Sequence, residues 1–362
     1  MGKVLLEEQS LIDIANSIRN KTNSTDTMKP SEMATNIDNI ESGEGDLSEY
    51  FTETIKGGST NTPGFCYMIK KIPKVKNEGK DNSYMFNYFN GTEIDLSEFD
   101  TSEVTSMERM FGSCKNLTNI DVSNFNTENV TTMRNMFQIC QHIESLDLSN
   151  FNTSKVTNMS GMFDNCKLLS ELNISNFNTE NVTTMNNMFY QCVLLTSLDL
   201  SNFNTSKVTN MSGMFSYCNL LSELNISNFN TENVTTMNNM FYQCENLISL
   251  DLSNFNTGKV TTMSNMFGGC KNLTSLDLSG WNTSKVTNMS SMFNNCVALT
   301  HLDIRNFDFT NVTSYSSMFG ASNGPADNCL IIVKDETAKE WVTSKFTRLT
   351  NVKTIAEYES GV

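Results

Sequence analysis

"NVTTMNNMFYQC" stands at 181–192 and again, with no residue changed, at 233–244. The two copies belong to a longer register. Cys114, Cys140, Cys166, Cys192, Cys218, Cys244, Cys270 and Cys296 follow one another at intervals of 26 residues without a slip. A fixed period between about 20 and 50 residues marks a solenoid, whose units cannot bury an apolar face alone and must stack. A chain of 362 residues can then keep one continuous core, because such an array grows in one dimension.

Written from the cysteine, the unit reads C-x-x-L-x-x-L-[DN]-L-S-N-F-N-T-x-x-V-T-x-M-x-x-M-F-x-x. Ile120 and Val122, like Leu146/Leu148 and Leu198/Leu200, alternate with polar residues, which predicts a short strand with one buried face. Val130, Met133, Met136, Phe137 and Cys140 are spaced as one apolar stripe of a short helix. The expected fold is therefore an α/β solenoid, a right-handed array of about nine strand–turn–helix coils over residues 82–320. Two aromatic columns, Phe99 to Phe307 (with Trp281) and Phe111 to Phe319, should stack as spines at ~4.8 Å per coil. Coils carrying Glu128, Glu180 and Glu232 alternate with coils carrying Lys155 and Lys207, which predicts register-setting pairs across coils.

The ends depart from the unit. Residues 82–101 read as a degenerate first coil with Tyr88 in the cysteine position, and Ser322 replaces the cysteine at the far end. Residues 321–362 read as a cap: strand at 328–335, helix at 336–346, strand at 349–358. In residues 1–45, Leu11, Ile14 and Ile18 share a helical face and Pro30-Ser31 opens a second helix, which suggests a small helical module for attachment or oligomerisation. Residues 46–81 read as a connector.

The stretch LDLSNFNTSKVTNMSGMFDNC (146–166) resembles the BspA-like leucine-rich repeat of bacterial surface proteins, and the resemblance extends over 82–320. The opening LIDIANSIRNKTNSTDTMKPSEMATNIDNI (11–40) is similar to the start of phage tail and baseplate-associated proteins of Gram-positive hosts. Together these resemblances imply a leucine-rich-repeat protein of a virion or phage-tail-like particle, serving as a receptor-binding protein in host cell attachment. The implied partners are a bacterial envelope protein or glycopolymer and, through residues 1–45, other tail or baseplate proteins, with the chain a homo-oligomer on the particle. A bacterial BspA-like surface adhesin and a non-binding virion spacer are the alternatives.

Composition narrows the chemistry. A net charge of −15 argues against nucleic acid or an anionic membrane as partner. With two histidines, no glycine-rich phosphate loop and no nucleophile beside a base, the chain reads as a non-enzyme without cofactor. Cysteines 26 residues apart do not have zinc-ligand spacing, and in-register side chains point the same way, against disulfide geometry. The cysteines and the 22 methionines therefore read as core, and no metal site is expected. The N-terminus lacks a signal-like apolar core and no stretch approaches the ~20 apolar residues of a span, so the chain reads as neither exported nor anchored.

Two surfaces are candidates for binding. Outward strand positions form the column Asp121, Asp147, Asn173, Asp199, Asn225, Asp251, Asp277 and Asp303, with Glu171 and Glu223 added in the asparagine coils. This is either an ordinary solvated face or a surface for a cationic patch, a hydroxyl-rich glycan or calcium. Beside the cysteines, Tyr190, Tyr217 and Tyr242 lie near one edge, as neutral variation or as platforms for sugar rings or a protein contact.

Overall fold

One residue from each of ten coils, running Asp81, Ser106, Thr132, Asn158, Thr184, Asn210, Thr236, Thr262, Asn288 and Ser314, joins an unbroken ladder of parallel bridges. At ~4.8 Å per step such a ladder is about 40 Å long. The computed structural model describes residues 71–72, 80–320 and 323–361. The predicted helical module at 1–45 and nearly all of the connector lie outside the described residues.

Opposite the bridge ladder run short parallel strands. They are β1 (Lys71–Ile72), β2 (Glu93–Ile94), β3 (Ser145–Asp147), β4 (Glu171–Asn173), β5 (Ser197–Asp199), β6 (Glu223–Asn225), β7 (Ser275–Asp277) and β8 (His301–Asp303). β3 pairs β4, β5 pairs β6 and β7 pairs β8, in each case one coil apart, so that Leu146 faces Leu172 and Leu198 faces Leu224. This sheet is interrupted between the pairs, whereas the bridge ladder is continuous.

The expected strand–turn–helix coil is corrected here. Among the described residues there are two α-helices, both beyond the array: α1 (Glu336–Lys345) and α2 (Ile355–Ser360). The stripe Val130, Met133, Met136, Phe137, Cys140 is fully buried, but its backbone is a chain of turns. Asn135 and Ile139 have φ of 55° and 62°, and the coils from Tyr84/Tyr88 to Ser291/Asn295 all repeat the two left-handed positions, with Gly161/Asn165 and Gly213/Tyr217 among them. These residues stop α-helical propagation. The N–H groups alternate instead. Met136, Gln138 and Cys140 donate back three residues, while Met133, Asn135, Phe137 and Ile139 donate to carbonyls of the next coil.

Coil spacing explains the outcome. Phe86, Phe111 and each following member of that column to Phe319 stack with ring centres 5.4–6.1 Å apart. Neighbouring α-helices need about 8–10 Å between axes, so a helix in every coil would not fit. The structure is therefore a flat, nearly all-parallel β-solenoid, and the leucine-rich-repeat fold implied by the BspA-like resemblance does not hold.

Side chains staple the coils together. Thr205, fully buried, donates from Oγ1 to the Asn230 carbonyl at 2.9 Å and accepts from the Asn230 N–H at 2.8 Å. Its equivalents at Thr101, Thr153 and Thr283 bond the next coil in the same two ways. The predicted Glu–Lys pairs do not form. Lys155, Lys207 and Lys259 reach Asn129, Asn181 and Asn233 instead, whose side-chain oxygens are one coil away. A neutral acceptor held in register outcompetes a mobile exposed carboxylate.

The first coil also differs from expectation. Phe89, buried, occupies the cysteine position: its N–H bonds the Phe86 carbonyl as that of Cys114 bonds Phe111. Tyr88, at φ 64° and half exposed, is equivalent to Ser113. The corner after Phe89 is one residue shorter than later corners, which shifts the alignment.

At the other end β9 (Leu330–Val333) and β10 (Val352–Thr354) continue the sheet in the order β10-β9-β8-β7. Residues 349–358, expected as one strand, divide into β10 and the start of α2, because Thr354 and Glu357 form a capping box. Trp341 stacks on Phe309 at 4.2 Å, and Phe346 meets Phe319 edge-on at 4.9 Å, closing the Phe111–Phe319 column. Arg348 donates to the carbonyls of Phe319 and Pro325 and to Asp327, covering polar groups of the last coil.

Candidate binding surfaces

The strand-face column has a local cause. Each Asp or Asn accepts, on Oδ1, the N–H two residues on: Ser123 to Asp121, Ser149 to Asp147, Ser175 to Asn173, Ser201 to Asp199, Ser227 to Asn225, Ser253 to Asp251 and Ser279 to Asp277. These are Asx turns, which bend the chain out of the strand, and either residue type forms them. The hydrogen bonds from these serines hold the carboxyls of Asp121, Asp147, Asp199, Asp251 and Asp277 below the usual range, so all five are ionised at neutral pH.

From Asp121 to Asp277 the column is exposed, and so are Glu171 and Glu223. Between β3 and β4 it borders a shallow hollow of about 380 Å³ lined by Ser145, Leu146, Asp147, Glu171, Leu172 and Asn173. Asp303 does not belong with the others. It is 5% exposed and gripped by Arg305, whose Nη2 lies 2.6 Å away. Tyr358 of α2 packs edge-on against His301 on this same stretch. The open acidic face thus ends at Asp277, itself drawn toward Arg305 and His301.

The three tyrosines come together. Tyr217 meets Tyr190 at 5.7 Å and 78°, and Tyr242 at 5.2 Å and 87°, a herringbone over three consecutive coils. Gly268 leaves room for the Tyr242 ring, which would lie 3.1 Å from any Cβ added there. Burial, with the neighbouring Tyr242, pushes the Tyr217 hydroxyl pKa up.

The cysteine ladder is internal. Cys192 Sγ donates to the Phe163 carbonyl at 3.1 Å, and the same bond recurs from Cys140 to Cys296. That carbonyl also accepts the Cys166 N–H, so each phenylalanine carbonyl serves two coils. Burial raises the thiols, to about 12 for Cys218 and Cys296. The nine cysteines described are free thiols, and no group of three His, Cys, Asp or Glu among the described residues is placed to hold a metal. Nor is any described helix long and apolar enough to cross a membrane.

Reading the sequence missed the threonine staples and the Asx turns. Both were signalled by invariant columns: Thr at 101 through 283, and Asp or Asn followed two residues on by Ser.

A family model described as "Mycoplasma protein of unknown function, DUF285" matches residues 80–171, 140–224 and 219–330. No curated protein matches the chain. Among solved structures, a leucine-rich repeat protein from Eubacterium ventriosum aligns at 15% identity over 69% of this chain and 82% of its own, with a TM-score of 0.29. A TLR13–ssRNA13 complex aligns at 13% identity over 67% of this chain and 49% of its own, with a TM-score of 0.18. Superpositions this loose carry no argument. The BspA-like assignment is corrected by the turn-built coils, and the leucine-rich-repeat, phage-tail and receptor-binding terms fall with it; the resemblance of residues 11–40 lies outside the described residues. A repeat solenoid capable of binding a protein or ligand along its length is what stands.

Proposed function

The chain belongs to that family, and on this premise we propose that its array is a non-catalytic recognition scaffold, holding an extended cationic partner along the strand face. The observation supporting this reading is the run Asp121, Asp147, Asp199 and Asp251, ionised and exposed. None of these has a lysine or arginine ion-pair partner among the described residues. A rigid row of anions suits a partner carrying its cations in a row, and repeated weak contacts add up without a tight pocket. The proposed partner class is a protein with a basic surface, such as a bacterial envelope protein; a neutral glycopolymer would not sense the charge. The turn-forming role of each aspartate supports a second reading, a spacer in which the column is only structural.

Changing Asp147, Asp199 and Asp251 together to Asn separates the two, because Asn173 and Asn225 already make the same turns. Binding of a fluorescent decalysine peptide should weaken by at least about tenfold and lose its salt dependence. Equal affinity of variant and parent, or no binding by either, would leave the spacer.

A further inference from the structure

At the second residue after the cysteine the corner is polar in four coils and apolar in four, three of the apolar ones consecutive. Two residues after the cysteine the array carries Asn116 and His142, then Leu168, Leu194 and Leu220, then Asn246 and Asn272, and finally Ala298 beside the exposed Val297. The core does not require these leucines, because the next residue in each coil (Leu169, Leu195, Leu221) is the one buried. Leu220 is 40% exposed, and Ile248, on the adjoining coil where other corners carry Ser, Thr or (at 144) Glu, is 59% exposed. The corners carrying them are joined directly: the Asn246 N–H bonds the Asn219 carbonyl, and the Asn219 amide bonds Glu245.

The tyrosine herringbone occupies these same coils, immediately before the cysteines. Partly buried aromatics locked edge to face, in the same coils as aliphatic side chains with no structural task, make a rigid apolar surface of the kind that anchors protein interfaces. Its border carries two exposed carboxylates and, beside Leu168, one exposed cation, Lys167. Glu171 and Glu223 stand exposed three residues beyond Leu168 and Leu220, with no ion-pair partner among the described residues.

We infer that this corner, from Leu168 to Ile248, docks a protein segment presenting apolar side chains flanked by lysine or arginine. The reasoning extends the recognition reading above and rests on it for the sign of the partner's charge. Charge complementarity selects the flanks, and the aliphatic column selects a peptide over a glycan, whose hydroxyls would be stranded against Leu220 and Ile248.

The test compares three probes on the full chain: a leucine–lysine peptide, decalysine of equal charge, and cellohexaose. The variant is Leu220→Asn with Ile248→Thr, residues that neighbouring corners already carry as Asn246 and Thr274, so the fold is retained. By fluorescence anisotropy the leucine–lysine peptide should bind the parent more tightly than decalysine does. The double variant should weaken that peptide by at least about tenfold while leaving decalysine unchanged. Equal binding of the leucine–lysine peptide to parent and variant overturns the corner while leaving the strand face intact. Decalysine binding unaffected by the aspartate changes overturns the face instead. Binding of cellohexaose that is lost in the double variant would reassign the corner to carbohydrate.

Discussion

Replacing Cys192 distinguishes a cysteine that merely fills space from one that also donates. Its side chain is fully buried, and Sγ lies 3.1 Å from the Phe163 carbonyl. Changing it to Ala removes about one methylene's worth of burial, ~0.8 kcal/mol. The small void left behind adds ~0.5 kcal/mol. Loss of a weak donor adds ~0.5 kcal/mol, since Phe163 keeps the Cys166 N–H. The total is about 2 kcal/mol. Serine inherits the carbonyl as partner, so only the volume is lost and the cost should be about 1 kcal/mol. Were the residue only a spacer, the order would reverse, because an unpartnered buried hydroxyl costs ~1–3 kcal/mol. Urea unfolding followed by circular dichroism measures both variants against the parent, using midpoint shifts at constant slope. Finding Ser as destabilising as Ala, or more so, refutes the hydrogen-bond account.

Two other outcomes follow from the same interior. Thr205→Val keeps the shape but removes both bonds to Asn230, and should cost about 2 kcal/mol by the same urea titration. Stability should also fall at alkaline pH. The buried thiols have folded pKa values above the ordinary 9.0, so the unfolded chain releases protons first and the folded state loses ground as pH rises from about 9 toward about 12. Each thiol contributes up to about 1.4 kcal/mol per pH unit in that window. Thermal midpoints unchanged between pH 8 and 10.5 would contradict this.

Much of the array was legible before any coordinates. Residues at equal positions in a repeat must stack, so the 26-residue period alone placed Phe137 over Phe163 and Cys192 under Cys218, and put both columns in the core. The acidic column was legible too, though its reason was not. Asp147 looks like surface charge in a linear reading; the serine recurring two residues on signals its turn, and that signal gains meaning once the strand's end is known.

What sequence could not decide was the backbone between Val130 and Cys140. Apolar residues at i, i+3, i+6 and i+7 satisfy a helix and a run of turns equally well. A local signal against the helix was present in the column Asn135, Gly161, Asn187, Gly213, Asn239, Asn265, Ser291, mostly residue types that tolerate positive φ. Its weight depends on the neighbouring coil, because the N–H groups freed by each left-handed residue are satisfied only by carbonyls one rung away. The spacing of stacked phenylalanines, too close for helices side by side, then makes the choice. Burial was thus set by periodicity within the chain, and conformation by hydrogen bonds between coils.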